Sequence, residues 1–141
     1  MKSVKVSDYM ARRLVTFHQH DNVVQAMGVL LDKKISGAPV VDDDGNLVGV
    51  LSEVDLIVIV MQDSYYDETG GIVADYMKSP VDTVDADMDI YVVAERFHKE
   101  HRRRFPVVKN GKLVGQISRR DVLRAAEDFL LRTDRRRRNG R

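Results

Sequence analysis

The chain has 141 residues, 43% of them hydrophobic and 32% charged, and no cysteine. That composition suits one compact soluble unit and excludes a disulfide framework or a zinc site built on thiolates. The formal net charge of +1 is uneven: residues 132–141 hold six arginines and one aspartate, a net of +5, so the preceding residues sum to −4.

The opening segment MKSVKVSDYM has no apolar run of signal-peptide length. The longest apolar run, LIVIVM (56–61), is far short of the ~20 residues that cross a bilayer. A soluble, cytoplasmic protein with no membrane partner is the expectation. In chain order, a short amphipathic turn (VSDYM, 6–10) precedes an extended piece around Val15–Phe17. Val23, Ala26, Met27, Leu30 and Leu31 then recur at helical spacing, with Asp21 or Asn22 as the cap. Gly28 within this helix reads as a site of close packing. Two strands follow, APVVD (38–42) and LVGVLS (47–52), joined by a glycine-containing turn that reads as a hairpin. A helix over about 53–61 completes the set.

The same order then returns. VADYM (73–77) repeats VSDYM, and an extended piece falls at Thr83–Val84. Ile90, Val93, Ala94 and Phe97 mark a helix capped by Asp87 or Asp89. FPVVK (105–109) and LVGQIS (113–118) form a hairpin through Asn-Gly, and a helix covers 119–131. The chain is thus a duplication, with repeats at 4–61 and 73–131 and a polar linker at 62–72. Residues 132–141, rich in arginine and without large apolar side chains, read as a disordered tail. The fold class is α+β: two β-α-β-β-α repeats, each marginal alone, packed through their sheets with pseudo-twofold symmetry. Such packing creates a cleft of the kind that takes small ligands.

Both hairpins end in one pattern, LVGVLSEVD (47–55) and LVGQISRRD (113–121). It places a serine at a strand end and an aspartate in the first turn of the next helix. Two readings stand side by side. Serine can cap the helix while aspartate complements its dipole. Alternatively, free N–H groups and serine hold a phosphate while the carboxylate accepts hydrogen bonds from a ribose diol. Glycine in the pattern lets another backbone approach closely.

The DYM turns, the threonines Thr16 and Thr83, the [AF]PVV strands and the two LVG hairpins together resemble a tandem pair of cystathionine beta-synthase (CBS) domains, the Bateman module, over nearly all of residues 4–131. The resemblance implies a stand-alone, non-catalytic sensor or regulator, of energy state among other signals. It implies an adenosine-containing ligand (AMP, ADP or ATP first, NAD or S-adenosylmethionine next), no required metal, and a homodimer formed through helices. It also implies two corners. One holds Ser118, Arg120 and Asp121 with Arg103 and Arg104, and takes Thr16, Ile35 and Ser36 from the first repeat. The other holds Ser52 and Asp55 with Gly37 and Ala38, and takes Thr83, Arg102 and Arg103 from the second. Arginines crowd the Asp121 corner and suit phosphate. Glu53 beside Asp55 repels it, so the Asp55 corner is expected to be weak, empty or matched to a less charged adenosine.

Arg102–Arg104 also have a plainer reading as a solvated helix end. Glu95, His98 and His101 are spaced as a metal face, but one helix supplies them all and cationic neighbours crowd them. The apolar excess of 56–61 points to a partner subunit. The arginine tail lacks interleaved aromatics or a base-reading fold, so nucleic acid is not the expected partner. No catalytic motif is present. The functional reading is an adenosine-nucleotide-binding module whose ligand, seated in the cleft, shifts domain or dimer geometry to signal to an unidentified regulated protein. The alternative is a dimeric scaffold with vestigial sites.

Overall fold

The computed structural model describes residues 4–61 and 71–139; most of the expected linker, 62–70, lies outside them. Its elements are β1 (Phe17–His18), α1 (Val23–Lys33), β2 (Gly37–Val41), β3 (Leu47–Ser52), α2 (Glu53–Met61), β4 (Val84–Asp85), α3 (Ile90–Glu100), β5 (Arg104–Lys109), β6 (Lys112–Ser118) and α4 (Arg119–Asn139). Two 3-10 turns, Val6–Asp8 and Val73–Asp75, lead the two repeats. The strands form two three-stranded sheets, β1-β2-β3 and β4-β5-β6. In each, the short first strand runs parallel to the proline-containing strand, with Phe17 opposite Val40 and Val84 opposite Val107. The α+β class and the doubled β-α-β-β-α order are as the sequence indicates.

Local chemistry accounts for the boundaries. Asn22 caps α1 by accepting from the N–H groups of Val24 and Gln25 at 2.9 and 3.0 Å. Asp89 caps α3 through Tyr91 at 2.8 Å. Lys34 and His101 end these helices in the left-handed region. Asn110 and Gly111 both have positive φ, the backbone that a two-residue hairpin loop requires.

The chain divides into two compact units that do not follow the repeats. The first comprises residues 1–13, 83–109 and 114–141; the second comprises 14–82 and 110–113. In the first, Val6 and Met10 are buried against Val84, Ile90, Val93, Phe105, Val107 and Ile117. Val6 and Ser7 donate to the carbonyls of Met88 and Ala86 at 2.9 and 3.0 Å. In the second, Val73 is buried against Phe17, Val23, Leu30, Val40 and Leu51. Val73 and Ala74 donate to Asp21 and Gln19, each at 2.9 Å. Each leader turn therefore completes the core of the other repeat. The LVG glycines make this possible. A Cβ on Gly115 would lie 2.5 Å from Met10 Sδ and 2.8 Å from the Ala11 carbonyl, and one on Gly49 would lie 2.5 Å from Met77 Sδ. The close approach expected of these glycines is to the leader segments.

Tyr9, within the first unit, donates its hydroxyl to Asp128 at 2.8 Å. This hydrogen bond, then burial and the Asp128 charge, raise the Tyr9 pKa above its ordinary 10.0. A raised value means that the contribution is complete below pH 10.0 and is lost as pH rises through the higher folded-state value. Tyr9→Phe is accordingly expected to cost about 1 kcal/mol near neutral pH. The difference from wild type should vanish on the alkaline side in denaturant titrations across pH.

Two expectations are corrected. Residues 132–139 are helical, continuing α4 through Asn139. Arginine is a good helix former, extending an existing helix avoids the cost of nucleation, and Arg136, Arg137 and Arg138 in the last turn complement the negative dipole end. Gly28 does not mediate close packing: a Cβ there would meet nothing within 4 Å. Gly28→Ala is therefore expected to stabilise the protein by about 0.5–1 kcal/mol, read as a higher melting temperature.

Candidate ligand-binding site

Ser52 and Ser118 are the last residues of β3 and β6, and α2 and α4 begin at the next position. The aspartates at the third helical position fold back onto them. Asp55 Oδ2 accepts from the Ser52 N–H and hydroxyl at 2.8 and 2.9 Å. Asp121 Oδ2 does the same with Ser118 at 2.8 and 3.0 Å. The aspartate N–H groups return to the serine hydroxyls at 3.4 and 3.3 Å. This is a reciprocal capping box, with the Asp55 and Asp121 side chains only 5% and 7% exposed. The first helical N–H groups are also engaged: Glu53 donates to Ser36 at 2.9 Å and Arg119 to Arg103 at 3.2 Å. The free N–H groups expected to receive a phosphate are thus partly consumed by the protein. What remains for an anion is the rest of the first-turn N–H groups, the helix dipole and the side chains.

The second oxygen of each carboxylate faces a cation, but from non-equivalent positions. Asp55 Oδ1 lies 3.7 Å from Lys78 Nζ, in the segment after the second leader turn. Asp121 Oδ1 pairs with Arg124, one turn further along α4. The equivalent of Lys78 in the other repeat is Ala11, and that of Arg124 is Val58. A diol entering either position must therefore compete with a different counter-ion. Both counter-ions are exposed, so displacing them costs little.

The first unit gathers the cationic surroundings. Phe105 is fully buried, and Arg96 and Arg102 lie over its ring at 4.4 and 5.3 Å. Arg96 donates to the Thr83 carbonyl at 2.7 Å and to Glu100 at 2.9 Å, while Arg102 approaches Glu100 at 3.9 Å. The Arg96 hydrogen bond, and then the charges of Arg96 and Arg102, hold the Glu100 carboxyl below its ordinary pKa against a partial offset from burial. Arg102 thus has structural partners; Arg103 and Arg120 present exposed side chains, and Arg104 is half-buried. In the second unit, Thr16 is exposed just before β1, Ile35, Ser36 and Gly37 are half-buried, and Ala38 is buried in β2. The structure joins serine to aspartate in each unit, and the strand start (Ser36, Arg103) to the helix start. Ser118, Arg120, Asp121, Arg102, Arg103, Arg104 and Thr83 belong to the first unit; Ser52, Asp55, Thr16, Ile35, Ser36, Gly37 and Ala38 belong to the second.

Sequence reasoning missed Arg96, Arg124 and Lys78. The first two were visible in principle, Arg96 as the i, i+4 partner of Glu100 and Arg124 as the i, i+3 partner of Asp121. Lys78 had no local signal. Glu95 and His98 lie on α3 with His101 as its left-handed cap. Among the described residues no group of three metal-ligating side chains is assembled, and no helix is long and apolar enough to cross a membrane.

A model of the CBS domain matches this chain twice, at residues 6–62 and 73–128. The chain belongs to the CBS domain family. Each CBS repeat thus carries one Ser–Asp box. The chain is 31% identical over 150 residues to the CBS domain-containing protein CBSX2, chloroplastic, of Arabidopsis thaliana, covering 86% of this chain and 63% of that one. It is 30% identical over 140 residues to the protein MJ1404 of Methanocaldococcus jannaschii, with 92% and 33% covered. This CBS chain spans between 15% and 67% of the length of the curated relatives it matches first. Among solved structures, CBSX2 in complex with AMP is similar with a TM-score of 0.75 and 33% identity, covering 89% of this chain and 97% of that one. AcuB from Vibrio cholerae is similar with a TM-score of 0.79 and 25% identity, covering 95% and 98%.

Proposed function

We propose that this CBS pair is a non-catalytic, adenosine-nucleotide-binding regulatory module whose principal site is centred on Asp121. The observation that carries this reading is a buried, box-held carboxylate whose second oxygen faces an exposed, displaceable arginine, with Arg103 and Arg120 exposed in the same unit. CBSX2, crystallised with AMP, supports the ligand class. Asp121 accepts the ribose hydroxyls on Oδ1, Ser118 keeps the carboxylate oriented, and Arg103, Arg104 and Arg120 neutralise phosphate. At Asp55, Lys78 is the nearby cation and Glu53 opposes an anion, so a weakly charged adenosine is the better match there. Occupancy shifts domain or dimer geometry and is read by a partner protein in the cytoplasm.

The reading is tested by thermal shift and calorimetry with AMP, ADP, ATP, NAD and S-adenosylmethionine. A ligand at a hundred times its dissociation constant should add about 2.7 kcal/mol. The same serine–aspartate boxes favour a second reading, because they stabilise the helix starts without any ligand. A flat response to the whole panel supports a dimeric scaffold whose sites are vestigial.

A further inference from the structure

The helical state of residues 132–139 gives the tail arginines fixed positions. Along the core-facing side of α4, Asp121 and Ala125 are buried. Asp128 and Phe129 are half-buried, and Arg132 and Arg136, at successive steps of four from Asp128, are exposed. Among the described residues, the core of the first unit takes Val122 and Ala125 from α4 and nothing after them. The last turns of α4 thus run past the core that anchors its start. Arg132 and Arg136, four positions apart, share one flank of the helix. Arg138 is two positions beyond Arg136 and, at about 100° per residue, lies on nearly the opposite flank, with Arg137 between them. All four are exposed. Residues 132–141 carry a net +5 while the preceding residues sum to −4, so the positive charge is concentrated on this one segment.

We propose that the distal end of α4 docks in the major groove of double-stranded DNA and holds it by its phosphates, without reading sequence. A flat anionic surface, such as a bilayer or an acidic protein face, meets one flank of a helix and leaves the other in water. A groove walled by phosphate engages both flanks. The major groove of B-form DNA, about 12 Å wide, admits a helix about 10–12 Å across, whereas the major groove of A-form RNA is too narrow for one. Leu130 and Leu131 precede the arginines and no apolar residue follows them, so the segment has no apolar stripe to insert into a bilayer. Guanidinium groups suit phosphate oxygens. Interleaved aromatics and a base-reading fold serve base recognition; phosphate contacts position a protein without them. The net acidic remainder of the chain is repelled by the duplex, which restricts contact to the helix end.

The test is fluorescence anisotropy of a short labelled DNA duplex titrated with the full chain at about 50 and 200 mM NaCl. Phosphate contacts by Arg132, Arg136, Arg137 and Arg138 are expected to give a roughly hundredfold loss of affinity between those salts. Arg136→Gln and Arg138→Gln are each expected to weaken binding and to lower the salt slope by about 0.9. Glutamine is a good helix former, and circular dichroism checks that the helix persists. An unchanged slope in either variant overturns the two-flank contact. No binding by the wild-type chain at the lower salt overturns the proposal. So does tighter binding, at equal salt, to an RNA duplex of the same sequence, to phosphatidylglycerol vesicles or to a polyglutamate peptide.

Discussion

Replacing Asp121 by asparagine is expected to weaken AMP binding by roughly ten- to a hundredfold, while Asp55→Asn leaves that affinity nearly unchanged. A hydrogen bond to a charged acceptor contributes about 1.5–3 kcal/mol, and ~1.4 kcal/mol is tenfold in affinity. Asparagine keeps one carbonyl acceptor but turns the other end of the group into a donor. Either the Ser118 box or the ribose contact must therefore lose its partner. Asp121 Oδ2 is committed to the Ser118 N–H and hydroxyl, so the oxygen opposite Arg124 is the one lost to the ligand. Asp55→Asn makes the same chemical change in the unit where Glu53 disfavours phosphate, and so serves as the matched control. Both variants should lose about 1–2 kcal/mol of stability, because a neutral amide accepts from the serine more weakly than a carboxylate does and removes the negative charge from the helix N-terminus. Calorimetry below the melting transition separates that loss from the binding effect. If Asp55→Asn removed AMP binding while Asp121→Asn spared it, the assignment of the two sites would be reversed.

Gly115→Ala is expected to destabilise the protein by about 2–3 kcal/mol, the range of a forced overpacking. That corresponds to a fall in melting temperature of about 10 °C at roughly 4 °C per kcal/mol for this chain length. The new methyl would overlap the Met10 thioether, which can move, and the Ala11 carbonyl at 2.8 Å, which cannot move freely. That carbonyl accepts from Gln116 N–H at 3.0 Å, and Ala11 N–H donates to Gln116 at 2.9 Å, so relief requires breaking the bridge that holds the leader in place. Met10→Ala on the Gly115→Ala background should therefore recover only part of the loss. Full recovery would place the strain on the sulfur alone. An unchanged melting temperature in the single variant would mean that the leader does not occupy this core.

The candidate site was legible in the sequence where its chemistry is local. A serine three positions before an aspartate at a strand-to-helix junction builds the same box in Ser52–Asp55 and Ser118–Asp121, because all its atoms lie within one turn. The partners of the second oxygen were not legible. Lys78 reaches Asp55 only because its segment bridges to Val50 on β3. Nor did the resemblance reveal that Arg102 and Arg96 flank Phe105, since that contact joins a helix, its exit and a strand. The tail was misjudged for a different reason. Its composition suits disorder in isolation, yet it follows a helix already nucleated at Arg119.

The sequence by itself determined the duplication, the order of the elements, the pair of residues within which each helix cap falls (Asp21 or Asn22, Asp87 or Asp89, of which Asn22 and Asp89 are the caps formed), and the hairpin turn at Asn110–Gly111, because each depends on residues a few positions apart. Only the tertiary structure decided which leader enters which core. VSDYM and VADYM present nearly the same valine, tyrosine and methionine, so burial favours either pairing about equally and no pattern distinguishes them. The choice falls to long-range geometry: where residues 11–16 and 78–83 carry the chain, and which LVG glycine each methionine can reach.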